Sequence, residues 1–402
     1  MTRLAGTARV VFPFLAGALM WAQPAALDPA GATNAFAVAA LRTEPRIAWE
    51  VTPRYRDSSA LALGNGVLVT GNTSGQGGTF GYDAATGKQL WSVPGHIRGG
   101  PAIAGAFAYA VNDLKDRNRF ALRKLDLRTG KAAWSAADDD LGNHDGPPVV
   151  VAGVVALTSR NRSVSAYDVG TGTRAWQHAG VHLCVGQVSA AAGLVFVSGG
   201  LTGTDHTLSA LDAVTGATVW STLLTAADEK GCGSGTAVVD GIVVTGLGRQ
   251  LLAFDARTGA RKWVRMVAST VAGRRQEAAL TQLVVTGGVV YSATSTALTG
   301  TDLESGRAVF DLALPAPLEL DTIRMVAARG LIYVHGNPVL AAGRGPATLY
   351  ALELAERHVL WTHAAARKGQ YDLLGSWTTR YLLPVEGGLV YENSQLLVRL
   401  QP

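Results

Sequence analysis

The chain has 402 residues, 48% apolar and 16% charged, so it can bury a sizeable core and wholesale disorder is excluded. Its formal charge of +5 drops to about +3 once the two arginines of the expected leader are set aside, a surplus too small and too scattered for a nucleic-acid surface.

At the N-terminus Arg3 and Arg9 precede the apolar run "VVFPFLAGALMWA" (10–22), and small residues follow in "QPAA". That order is the grammar of an export signal, expected to span residues 1–26. Thirteen apolar residues that include Pro13 are short for a membrane span, which leaves an uncleaved anchor as the alternative. No cysteine follows the run, so no lipid attachment is expected there, and no later stretch reads as membrane-spanning. The protein is therefore expected to be exported, either secreted or held at the cell envelope. Residues 27–45 read as a linker.

From residue 46 onward the chain repeats itself. The stretch "YDAATGKQLW" (82–91) recurs as "KLDLRTGKAAW" (124–134), "AYDVGTGTRAW" (166–176), "ALDAVTGATVW" (210–220) and "AFDARTGARKW" (253–263). Weaker copies are "GTDLESGRAVF" (300–310) and "ALELAERHVLW" (351–361). The closing aromatics Trp91, Trp134, Trp176, Trp220, Trp263, Phe310 and Trp361 stand 43, 42, 44, 43, 47 and 51 residues apart, the size of one four-stranded propeller blade. Between them lie short apolar strands separated by turn signals, with no sustained helical period.

Trp49, 42 residues before Trp91, has no blade of its own, whereas "YLLPVEGGLVYENSQLLVRL" (381–400) supplies inner strands without a final tryptophan strand. Joining the two ends predicts an all-β, eight-bladed propeller closed by the N-terminal strand, with no open sheet edge at the junction. In each motif the aspartate is expected to cap the turn, the glycine to supply a left-handed conformation, and the tryptophan to pack against the next blade.

The pattern A-x-D-x-x-T-G-x-x-x-W at this spacing resembles the PQQ-like (pyrroloquinoline quinone-like) repeat. The resemblance covers roughly residues 46–402. It implies an eight-bladed propeller of the kind found in quinoprotein alcohol dehydrogenases, which bind pyrroloquinoline quinone and calcium. The same repeat builds the propeller scaffold lipoprotein of the outer-membrane barrel-assembly machinery, which carries no cofactor. The chain departs from the dehydrogenases in having no adjacent cysteine pair and only minimal blades, and from the lipoprotein in having no lipid-acceptor cysteine.

Loops after the fourth strands and between the second and third strands share the face that opens the central channel. Counting phase from each tryptophan places His96, His144, Asp145, His182, Lys230, Arg274, Arg275, Glu277, Asp321, Arg324, Tyr371 and Asp372 there. The inserts "NDLKDRNR" (112–119) and "HGNPVLAAGRGPA" (335–347) are expected to rim the same face. Trp377, outside the repeat phase, is expected on an inner strand, lining the channel or filling the core. Cys184 and Cys232 fall on this face in neighbouring blades. In an exported protein the first reading is a disulfide; a reduced buried pair and a metal site with His144 and His182 are the alternatives.

No nucleophile–base set is readable at these spacings. The expected function is that of a monomeric, non-catalytic scaffold without cofactor or metal, binding a protein, a peptide or a cell-envelope component. The alternative is a PQQ-dependent oxidoreductase, in which Arg274, Arg275 and Arg324 would meet a carboxylated cofactor beside calcium.

Overall fold

A computed structural model describes residues 32–34 and 40–402 except 53–58, 73–76, 115–118, 142–145, 160–162, 180–182, 201–205, 225–233, 272–273, 278–282, 320–321, 341–342, 365–380 and 393–395. For 32–34, 159, 183–187, 200, 234–235, 268–271, 274–277 and 343–344 it describes the backbone alone.

Seven sequential antiparallel meanders follow the repeat. Blade 1 runs Ala62–Gly64, Val67–Gly71, Gly78–Asp83 and Gln89–Pro94, from the channel outward. Blades 2 to 7 repeat this order and end on the outer strands Ala132–Asp138, Arg174–His178, Thr218–Leu224, Arg261–Met266, Ala308–Ala313 and His358–Ala364. Blade 8 is composite. Tyr381–Val385, Gly388–Glu392 and Leu397–Gln401 supply its inner three strands, and Arg46–Val51 pairs antiparallel with Leu397–Gln401 as the fourth. The expected eight blades and the expected closure are both present.

Second strands are buried on both faces, as in "IVVTGL" (242–247), because each sheet is sandwiched between two neighbours. Outer strands expose alternate residues and turn their aromatic inward: in "QLWSVP" (89–94) only Trp91 is buried.

The motif works through two blades at once. Asp212 Oδ1 accepts from the backbone N–H of Val214 and Thr215 and from the Thr215 hydroxyl, at 3.1, 2.8 and 2.8 Å. The same set closes the turns at Asp83, Asp126 and Asp255, and these bonds, those from threonine foremost, hold the carboxyls below the ordinary carboxylate range. Gly216 then adopts φ of 72°, and a Cβ there would stand 2.6 Å from the Trp176 ring of the preceding blade. Trp176 in turn donates its Nε1–H to the carbonyl of Ala213, 2.9 Å away. The same bond recurs from Trp49 to Ala84, Trp91 to Leu127, Trp134 to Val169, Trp220 to Ala256 and Trp263 to Leu303.

Two seams depart from the rule. Phe310 cannot donate, and opposite it Arg357 replaces the glycine at φ of 55°, its guanidinium 5.4 Å from the phenyl centroid and bonded to the Val309 carbonyl. At the blade 7–8 seam the chain has no turn to accept from Trp361, because blade 8 is cut between its third and fourth strands. Leu41 takes that place: its carbonyl accepts from Trp361 at 2.8 Å, its N–H donates to the Tyr333 hydroxyl, and its side chain is 1% exposed among blades 7 and 8. Arg42 pairs with Glu353 beside it. The end of the stretch expected to be linker is thus part of the core.

Denaturant unfolding checks the two-blade reading. Trp220→Phe keeps the ring but orphans the Ala256 carbonyl and should cost about 1–2 kcal/mol, while Trp220→Ala should cost about 3–5 kcal/mol. Gly216→Ala should be clearly worse than Gly241→Ala, because both glycines have positive φ but only the former lies on a ring.

Candidate functional site

The loops after outer strands and those joining second to third strands meet on one face and are stitched together by main-chain bonds. Asp113 N–H donates to the His96 carbonyl at 2.9 Å, Ile97 to Asn72 at 2.8 Å, and Glu319 to Asn337 at 2.9 Å. The loops rest on buried polar residues where the strands end. The second strands finish on or within two residues of Thr70, Asn112, Thr158, Thr245, Thr294, His335 and Glu392, all 4% exposed or less. Thr79, Ser163 and His206 open or lie near the start of third strands at the same level, also buried. A buried polar group needs a partner, and here loop backbone and neighbouring buried side chains both supply it. Asn112 Nδ2 donates to the Gly95 carbonyl and Thr79 Oγ1; Thr70 Oγ1 donates to Ser59 O and to Glu392 across the closure seam.

Two parts of this face are described in most detail. Between blades 1 and 2, His96 Nε2 lies 3.0 Å from Asp113 Oδ2, with the imidazole edge-on to Phe120 and the Arg98 guanidinium 5.3 Å from the same ring's centroid. On blade 7 the 335–347 insert folds into a hairpin, Val339–Leu340 against Gly343–Arg344. Val339 N–H donates to Pro317 O, Leu318 bridges Pro338, and Thr322 Oγ1 accepts from Asn337 N–H while donating to Glu319 O. The base of the hairpin is therefore held, yet Val339 and Leu340 on its first strand are 53% and 49% exposed.

Of the expected site residues, Arg324 opens the innermost strand of blade 7 (Arg324–Ala328), half-buried, with Nη1 donating to Ile323 O. Arg274, Arg275 and Glu277 lie after the outer strand of blade 5 as anticipated, but on a hairpin, opposite Val271, Thr270 and Ala268. Cys184 lies on the innermost strand of blade 4, Leu183–Ala191, described by its backbone alone. His144, Asp145, His182, Lys230, Cys232, Asp321, Tyr371, Asp372 and Trp377 lie outside the described residues, and with them the cysteine pairing. Among the described residues no group of three His, Cys, Asp or Glu is placed to hold a metal ion, and no helix is long and apolar enough to cross a membrane. The buried polar ends of the second strands and the exposed Val339–Leu340 pair were not anticipated. The signal of the polar ends is present in "AYAVND", "IVVTG", "IYVHGN" and "LVYEN", where a polar residue follows each apolar run.

His335 crosses blade 7 in a row with Arg324 and, beyond Leu349, His363. Complete burial, then the charges of Arg324 and His363, push its imidazole down to about 3. A groove of about 290 Å³ runs along the outer wall between blades 8 and 1, lined by Val51, Phe80, Tyr82, Gln89, Ser92 and Pro94 among others, none of which titrates near neutral pH.

Known proteins resemble this chain at two levels. The family model for the outer membrane protein assembly factor BamB matches residues 16–179 and 160–377. The solved structure of BamB from Moraxella catarrhalis superposes with a TM-score of 0.64 at 17% identity, covering 89% of this chain and 100% of that one. A quinohemoprotein alcohol dehydrogenase from Pseudomonas putida gives 0.62 at 13% identity, covering 89% and 76%. At those identities the likeness shows the fold alone. Among curated proteins, the serine/threonine-protein kinase AfsK of Streptomyces griseus is 30% identical over 172 residues, 40% of this chain and 20% of the kinase, so the match spans about a fifth of that protein.

The His335 shift fixes a pH dependence. The unfolded histidine binds a proton below its ordinary value of 6.5 and the folded one only near 3, so stability is full above pH 6.5 and falls as the pH drops between those values. At pH 4.5 the chain should have lost on the order of 2–3 kcal/mol relative to pH 7, most of it absent in His335→Gln, as measured by urea unfolding at both pH values. The turn aspartates, whose values are lowered, add their loss only below about pH 4.

Proposed function

This chain belongs to the family of the outer membrane protein assembly factor BamB, and on that premise we propose that it is an exported, non-catalytic scaffold that binds a protein partner of the cell envelope through its channel face. The observation that carries this reading is the pinned hairpin on blade 7. An aliphatic pair exposed on a loop held by several main-chain bonds loses little entropy when covered, which is the character of an interface anchor. The mixed charges of Arg98, Asp113 and Arg324 on the same face suit a polar rim around such an anchor. The described loops are bonded to one another and to the strands beneath them, which supports a rigid display surface. Neither quinone nor metal forms part of this reading.

The test compares the full chain with Val339→Asp combined with Leu340→Asp. The doubly substituted protein should keep its melting temperature and lose at least ten-fold of its capture of envelope partners, quantified from detergent-solubilised envelopes by mass spectrometry. Undiminished capture would remove the hairpin from the interface. Dye-linked alcohol oxidation by the pure protein supplied with pyrroloquinoline quinone and calcium would overturn the scaffold reading altogether.

A further inference from the structure

The innermost strand of a propeller blade has one edge paired to the second strand and the other open to the channel. Among the described residues, blade 6 alone has that inner edge filled. Ala32–Asn34 runs parallel to Leu283–Thr286, with Ala32 opposite Leu283, Thr33 opposite Val284 and Asn34 opposite Val285. The added strand also comes within 8 Å, Cα to Cα, of the innermost strands of blades 5 and 7, Ser234–Val239 and Arg324–Ala328. It therefore stands in the channel.

The register identifies the groups involved. Gly287 and Gly288, with φ of 58° and 72°, make a two-residue hairpin closed by Thr286 and Val289. The closing pair exchanges both its hydrogen bonds, and the direction alternates from there. Val284 thus faces Tyr291, while Leu283 and Val285 turn their main-chain groups to the channel. In the parallel register Thr33 sits between them, placed to donate its N–H to Leu283 O and to accept from Val285 N–H. Such contacts are made by backbone and do not depend on side-chain identity. The residues that make them, Ala32, Thr33 and Asn34, are uncharged and small. The strand that receives it, "LVVT", has three β-branched residues of four and is already shaped as an extended edge.

We infer that the channel is a binding site for an extended, uncharged peptide of small residues, taken up by parallel strand addition to Leu283–Thr286, and that residues 32–34 are the chain's own occupant of it. Tethering gives that occupant an effective concentration of roughly millimolar, so a peptide from another molecule must compete with it. The site is distinct from the channel rim and stands whether or not the rim binds a protein.

A dye-labelled peptide of residues 30–36 (Ala-Gly-Ala-Thr-Asn-Ala-Phe) is titrated into the full chain and into the full chain carrying Thr33→Pro, which abolishes the N–H offered to Leu283. The variant should bind the peptide at least about ten-fold more tightly than the wild type. Hydrogen exchange of residues 283–286 should be faster in the variant and should slow again when peptide is added. A peptide with proline at the Thr33 position should not bind. Equal affinity of the two chains, no binding to either, or exchange at 283–286 indifferent to the substitution would each overturn the proposal. The Val339 and Leu340 variants leave this edge intact, so loss of rim binding and loss of channel binding are read separately.

Discussion

The ring depends on one contact made at successive seams: an indole N–H of one blade bonded to a turn carbonyl of the next, with the ring lying flat on a glycine. Each element requires the others. A buried indole needs an acceptor, at the repeat turns the acceptor is presented by a loop that aspartate holds, and the ring can reach it there only where no Cβ intervenes. Every motif therefore belongs to two interfaces, its glycine serving the blade before and its tryptophan the blade after. The exception supports the rule, since at the blade 6–7 seam both partners change together and a Phe310–Arg357 stack replaces Trp on Gly.

That coupling is why the architecture was legible. A period of about 43 residues is written in the residue types that every seam shares, so blade number and closure follow from counting. Leu41 was not legible, because it substitutes for a missing turn through its backbone carbonyl, and no residue type announces a carbonyl. The polar strand ends were present at the blade period but hidden, since a threonine such as Thr245 at the end of an apolar run also suits an ordinary strand. Phase assigned Arg324 and the Arg274–Glu277 segment to loops after outer strands, yet could not show that the former opens an innermost strand or that the latter becomes a hairpin. Loops carry no period, and which of their side chains meet is decided by insert length and local bonding.

The buried polar ends also separate two tasks. Below them, the sheets are held by apolar contacts and seam bonds that tolerate little change. Above them, loops are clamped by their own backbones, as Asn112 does for Gly95, so their exposed residues are left to vary. This division gives a physical reason why one ring can resemble both an assembly factor and an alcohol dehydrogenase while sharing under a fifth of its residues with either.

Closure of blade 8 has a bearing on biosynthesis. The strand Arg46–Val51 pairs with Leu397–Gln401, the last strand of the chain. During translation this strand must wait, unpaired along one edge, until residues 397–401 have been made. Blades 1 to 7 can stack in order as they emerge, but the circle is joined only by a contact spanning nearly the full length of the chain, the slowest kind to form. Until that contact forms, a chain of this design is an open arc with two sticky ends.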